Sequence, residues 1–212
     1  MPDEIFQGSY AENYDSMVEE FNSRGDLVVF GLMYDHISPG ERVLDIGIGT
    51  GLGSARLYRY GLDVYGIDAS ADMLAQCWKK NMARELKLVD ITADPIPYGD
   101  GFFDHVTALG VFHLFRDLSG IFREAGRVLK PGGTFTFTIM SDERGEPSGR
   151  GIDPMMTHWG KEVFKHGREY ISDLSAGSGF SMLSRLLFAD MFDPEDGSIM
   201  YFWVYVFGKI GD

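Results

Sequence analysis

Between residues 42 and 140, short apolar runs alternate with segments whose apolar positions recur every three or four residues. The runs RVLDIG (42–47), LDVYGID (62–68), LKLVD (86–90), FDHVTALGV (103–111) and TFTFTIM (134–140) read as strands. Between them, GLGSARLYRYG (51–61), ADMLAQCWKKNMARE (71–85) and DLSGIFREAGRVL (117–129) read as helices. Met73, Leu74, Cys77 and Trp78 share one face of the second helix; Leu118, Ile121, Phe122, Ala125 and Leu129 share one face of the third. The sequence KPGG (130–133) stops that third helix and turns the chain into the fifth strand. Parallel strands need long crossovers, so this alternation predicts a parallel sheet with helices on both faces. Right-handed crossovers leave few topologies for it.

After residue 140 the pattern changes. Residues 141–157 are rich in Gly, Pro and charge and read as a loop or lid. A helix is expected over 158–174, followed by strands at 180–192 and 199–209. The turn-like DPEDGS joins those two strands, which predicts an antiparallel hairpin. Residues 199–207 show no polar face, as expected of a strand covered on both sides.

Charge and cysteine content narrow the partners. The net charge of −13 disfavours nucleic acid, because an acidic surface repels phosphate. Cys77 is the sole cysteine, so neither an internal disulfide nor a cysteine-based zinc motif can form; it reads as a buried structural thiol, and no metal site is expected. MPDEIFQGSY (1–10) lacks the basic-then-apolar layout of a secretory leader, and no stretch reaches the roughly 18 apolar residues of a membrane span. The expectation is a cytoplasmic protein, monomer or homodimer.

The chemistry concentrates in VLDIGIGTGLG (43–53). A glycine-rich turn from strand to helix commonly binds phosphate through backbone N–H groups. Here Asp45 stands two residues before Gly47, where a carboxylate would repel a diphosphate. Glycines fall at 47, 49, 51 and 53, and Leu52 occupies the place of the third glycine in the dinucleotide fingerprint. Both departures favour a ligand that lacks a pyrophosphate and carries a positive group. Asp68 ends the second strand, where an acid accepts hydrogen bonds from both ribose hydroxyls. Asp90 ends the third and is placed to accept from an exocyclic amine, with Ile91 packed on the ring.

VLDIGIGTG, the acid of GID, the acid of DIT with its following PIPYGDGFFD, and LKPGG together resemble the class I S-adenosylmethionine-dependent methyltransferases. The resemblance is nearest to the small-molecule subgroup that includes the ubiquinone/menaquinone C-methyltransferases and covers roughly residues 10 to 140. It implies an α/β fold: a doubly wound, Rossmann-like sheet of seven strands, mostly parallel with a C-terminal antiparallel hairpin, in one domain. The parts would be an N-terminal helical cap (1–40), a cofactor-binding core (41–140), a loop or lid (141–157), and a substrate-side helix with the hairpin (158–212). It also implies S-adenosylmethionine as cofactor, S-adenosylhomocysteine as product and a small-molecule methyl acceptor. Asp45 would help hold the methionyl ammonium. Gly47, Gly49 and Gly51 would let the backbone approach the ligand closely. Asp68 would serve the ribose, and Ala69 and Met73 following it would be further cofactor-binding residues. Asp90 and Ile91 would serve the adenine, with Thr92 as the competing position, and Leu109 would meet the methionine backbone. Tyr10 and Tyr14, four residues apart in YAENYDSM, resemble aromatics that close over the cofactor; a packed surface helix explains them equally well.

His113, in GVFHLFRD directly after the fourth strand, is the candidate general base; its alternative is a loop-shaping histidine. Trp159 and Tyr170 are candidate pocket walls, while His158 and His166 read as solvated helix residues. Two further functions fit the same sheet: a nicotinamide-dependent oxidoreductase, which Asp45 and Leu52 disfavour, and a catalytically silent S-adenosylmethionine-binding protein.

Overall fold

The computed structural model describes residues 6–141, 151–156 and 161–211. Strands β1 (Arg42–Ile46), β2 (Asp63–Asp68), β3 (Glu85–Leu88), β4 (Phe103–Ala108) and β5 (Leu129–Ser141) join β8 (Phe180–Phe192) and β9 (Ile199–Lys209) in one seven-stranded sheet. Its order is β3-β2-β1-β4-β5-β9-β8. The pairings among β1 to β5 are parallel. β9 runs antiparallel to both β5 and β8. The order reverses between β1 and β4, and the crevice beyond the carboxyl ends of those strands is where a ligand belongs in such a sheet.

Alternation along the strands builds the two faces. Leu44 and Ile46 of β1, with Tyr65 and Ile67 of β2, enter a core that also takes Ile121, Phe122 and Ala125 of helix α5 (Ser119–Val128). Val43 and Val64 point the other way, onto Val29 and Met33 of α2 (Gly25–Met33), Leu57 of α3 (Ala55–Tyr60) and Cys77 of α4 (Ala71–Lys79). Cys77 is buried and free, as read from its helical face. Gly66 is required on this second face, since a Cβ there would lie 2.5 Å from Ile48 Cδ1.

The N-terminal cap consists of α1 (Ser9–Glu20) and α2. Helix α1 is strapped to the glycine loop and to α4 through its middle and its N-cap. Thr50 of the glycine loop donates to Asp15 at 2.6 Å, Lys80 pairs with Asp15, and Gly8 N donates to Asp72 at 2.7 Å.

The region after β5 departs from expectation. A small antiparallel hairpin of β6 (Ile152–Met156) and β7 (Glu162–His166) occupies the ends of the expected loop and the start of the expected helix. The helix itself, α6 (Arg168–Gly177), begins ten residues later than expected. Val163 and His166 bury their side chains in β7, and Gly167 enters the helix in extended conformation (φ −66°, ψ 151°). Adjacent buried Val163 and Phe164 break any two-residue alternation, so these five residues carry no strand signal unless the partner strand is known. Most of the expected lid (142–150 and 157), along with His158 and Trp159, lies outside the described residues.

Candidate active site

A cavity of about 850 Å³ crosses the carboxyl ends of the strands. In sheet order its floor is Asp90 and Ile91 after β3, Asp68 and Ala69 from β2, and Asp45, Gly47 and Gly49 from β1. It continues through Leu109, Gly110 and His113 after β4, Thr138 and Met140 of β5, and Met200 and Phe202 of β9. Tyr10 and Tyr14 of α1 and Met73 of α4 also line it. Acids therefore crowd one end of the floor and apolar side chains the other.

The glycine loop takes its shape from three constraints. Gly47 has φ +69°, and a Cβ there would lie 2.4 Å from Val111 Cγ2. Gly49 has φ +54° with open space above it, leaving its backbone bare to a ligand. Gly51 does not line the cavity, contrary to the expected role. Its φ is +86°, and a Cβ there would lie 2.8 Å from Cys77 Sγ, so it lets the loop lie on α4.

The acids differ in what holds them. Asp45 is 3% exposed and accepts from Ser54 Oγ at 2.7 Å and Thr107 Oγ1 at 3.1 Å. Burial pushes its pKa up to about 6, against the pull of those two hydroxyls. Thr107 stands opposite Asp45 in the β1–β4 register, so the sheet itself places that partner. Asp68 accepts from Gly49 N and from Ser70 N, each at 2.8 Å, and thereby locks the loop to the end of β2. Burial raises its pKa as well. Asp90 accepts from Thr92 N at 3.0 Å and from Thr92 Oγ1 at 2.6 Å, and those bonds hold its pKa below the usual carboxylate range. Asp90 and Thr92, the two competing positions, are therefore one hydrogen-bonded unit. Tyr10 and Tyr14 lie 5.9 Å apart by ring centroids, and burial raises the pKa of both phenols.

His113 lines the apolar end, with its ring 6.1 Å from that of Phe202. Its Nδ1 is sealed and meets no hydrogen-bond partner among the described residues. Burial first, then the charge of Lys161 and the neighbouring His166, bring its pKa down to about 4. Tyr170 does not line the cavity. Its Oη accepts from Leu118 N at 2.9 Å and lies 3.2 Å from Asp117, which ties α6 to the start of α5. His166, read as solvated, is fully buried in β7 and stacks on Tyr170 at 5.4 Å.

Three features had no place in the sequence reading. Asp190 of β8 lines the cavity and accepts from Ser23 Oγ at 2.8 Å and Arg24 N at 2.6 Å, bracing the entry to α2. A lone acid in FSMLSRLLFADMF was its available signal. Arg56 pairs with Asp26 at 2.6 Å on the cavity rim. Lys161, at the start of the unforeseen hairpin, reaches over Phe6 with its Nζ 4.7 Å from the ring centroid.

The donor set suits a cationic nucleoside. Carboxylates line the floor where a diphosphate would have to sit, and Gly49 leaves room for close approach. Residues 44–137 match a protein family described as a methyltransferase domain. A malonyl-[acyl-carrier protein] O-methyltransferase of Legionella pneumophila is 33% identical over 138 residues, 63% of this chain and 48% of that relative. A demethylmenaquinone methyltransferase of Beutenbergia cavernae is 41% identical over 96 residues, 45% of this chain and 39% of that relative. The chain thus spans about half or less of the length of these relatives. The methyltransferase solved in complex with the Trm112 methyltransferase activator of Haloferax volcanii superposes with a TM-score of 0.78 at 19% identity, covering 100% of both chains. Among the described residues, no helix is long and apolar enough to cross a membrane. Residues 44–137 thus carry a methyltransferase domain, and in sheet order and glycine loop the chain is similar to the class I S-adenosylmethionine-dependent methyltransferases.

Proposed function

We propose that the protein transfers a methyl group from S-adenosylmethionine to a small, largely apolar acceptor by in-line displacement. One observation carries this reading: a single cavity runs along the strand ends, with Asp90, Asp68 and Asp45 on the β3–β2–β1 side and Met140, Met200 and Phe202, joined by the braced Asp190 of β8, on the other. The cofactor supplies an electrophilic methyl on a sulfonium. The protein's part is alignment and exclusion of water.

In this assignment Asp68 takes the ribose hydroxyls, with Ala69 and Met73 beside it. Asp90 with Thr92 reads the adenine edge, and Ile91 packs on the ring. Asp45, with Ser54, faces the methionyl ammonium; Gly47, Gly49 and Leu109 pack along the methionyl chain. Tyr10 and Tyr14 roof the cofactor, and His113 touches the acceptor. The net charge of −13 favours a small-molecule acceptor over nucleic acid, and the reading includes a cytoplasmic setting and a monomer or homodimer.

The relatives' names include an O-methyltransferase and a demethylmenaquinone methyltransferase, so the shared domain does not select the acceptor atom. The test is formation of S-adenosylhomocysteine in the presence of acceptor candidates. An acceptor-dependent signal that falls at least about tenfold in His113→Ala is expected. Silence across a broad panel, despite intact cofactor binding, would favour the silent binding protein.

A further inference from the structure

Two hollows meet at the β5–β9 end of the strands. One is the cavity described above. The other, of about 480 Å³, lies between the β6–β7 hairpin and the turn that joins β8 to β9. Met140, Ser141, Met155, Lys165 and residues 197–201 line it. Met140 and Met200 line both hollows, so they stand between the two. The charged side chains Asp190 and Lys161 line the first and not the second.

The strands place this partition. Met140 of β5 pairs with Phe202 of β9, and Met200 stands two residues before Phe202, on the same face. Met155 of β6, opposite Val163 in the hairpin register, packs against the same cluster. β5 and β9 stay paired through this point, from Thr134 with Gly208 to Ser141 with Tyr201, so a passage opens by side-chain rotation alone. Methionine suits that, being unbranched and free to turn about three side-chain bonds. The second hollow is open to water, since Gly197, Ser198 and Ile199 are exposed. Among the described residues, Lys165 is the one charged side chain on it, and a lysine stem lies along apolar surface with its ammonium in water. A thin apolar chain passes between thioethers and gains contact along its length. A broad ring system does not pass.

Resting on the methyltransferase reading above, we infer that the second hollow is a tail site. The acceptor carries an extended alkyl chain that passes between Met140 and Met200 and ends at the surface beside Ser198. Its reacting head stays in the larger cavity. Met140 and Met200 are specificity residues for the shape of that chain, and the depth of the second hollow sets how long a chain is rewarded.

The experiment titrates the protein with 4-ethylphenol, 4-hexylphenol and 4-decylphenol by calorimetry, below the concentrations at which the probes aggregate. Each is measured with and without saturating S-adenosylhomocysteine. The expected result is binding of the decyl probe at least about tenfold tighter than the hexyl probe. Ser198→Trp and Ile199→Trp each place a bulky ring in the second hollow from its exposed rim. In at least one of them the decyl-to-hexyl ratio should fall to about threefold or less, with thermal unfolding showing the variant folded. General damage to the site would weaken all three probes together and leave the ratio as it was. A wild-type ratio near one, absence of binding included, overturns the inference. So does a ratio that survives in both variants, because the chain then lies elsewhere. Failure of S-adenosylhomocysteine to bind counts against the methyltransferase reading instead, and the chain-length ratio is read on the ligand-free protein independently of it.

Discussion

Asp45 is a carboxylate held where water barely reaches, with two hydroxyls as its partners. Its pKa of about 6 lies above the 3.8 of a free aspartate, so between those values the folded protein binds more protons than the unfolded chain. Stability contributed by this site is therefore largest below about pH 4 and is lost as pH rises through 6. The loss is on the order of 1–3 kcal/mol. Denaturant unfolding of the ligand-free protein should show this decline, and Asp45→Asn should flatten it. A bound ammonium would restore the ionised form, so cofactor binding near pH 6 should release protons. Calorimetry in buffers of different ionisation enthalpy reads that release directly; equal proton counts for wild type and Asp45→Asn would place the ammonium elsewhere.

Gly47 makes a second prediction at this scale. Replacement by Ala forces a Cβ to within 2.4 Å of Val111 Cγ2 and strains a φ of +69°. The combined cost should be at least about 2 kcal/mol by chemical denaturation. Adding Val111→Ala should recover the steric part only, since the backbone strain stays. Full recovery in the double variant would show that the left-handed conformation is not needed.

Among the elements, how much could be read depended on whether a pattern was local. The hairpin strands were expected at 180–192 and 199–209 and stand at Phe180–Phe192 and Ile199–Lys209, because long apolar runs flank a short turn-forming segment. The β6–β7 hairpin was missed because KEVFKH sets its two apolar residues side by side, without alternation, and its partner lies on the far side of 157–160. With it went Lys161 and the correct placing of His166 and Tyr170. The acids at 45, 68 and 90 were legible because strand ends impose their position. Gly51 was misread because a glycine that admits a neighbouring helix looks, in sequence, like one that admits a ligand.

Tyr170 tests the revised role of α6. Its hydroxyl takes the buried N–H of Leu118, so Tyr170→Phe leaves that donor unsatisfied. A loss of about 1–3 kcal/mol in stability is expected, with the KM for S-adenosylmethionine unchanged. A raised KM with no loss of stability would return Tyr170 to the pocket wall.

For the molecule as a whole, the strand order sets out the chemistry in space. β3, β2 and β1 bring their terminal acids together at one end of the crevice, and β5 and β9 bring methionine and phenylalanine to the other. The cap closes over the middle through Asp15, which joins α1 to both the glycine loop and α4. This arrangement places an acidic half and an apolar half within one cavity. The central claim is that the acidic half accepts a nucleoside without phosphate. Isothermal titration with S-adenosylhomocysteine and with NAD, on wild type and Asp68→Ala, tests it most directly. The account predicts that S-adenosylhomocysteine binds, that NAD does not, and that Asp68→Ala weakens binding at least tenfold, about 1.4 kcal/mol. Tight NAD binding, or S-adenosylhomocysteine affinity untouched by Asp68→Ala, would contradict it.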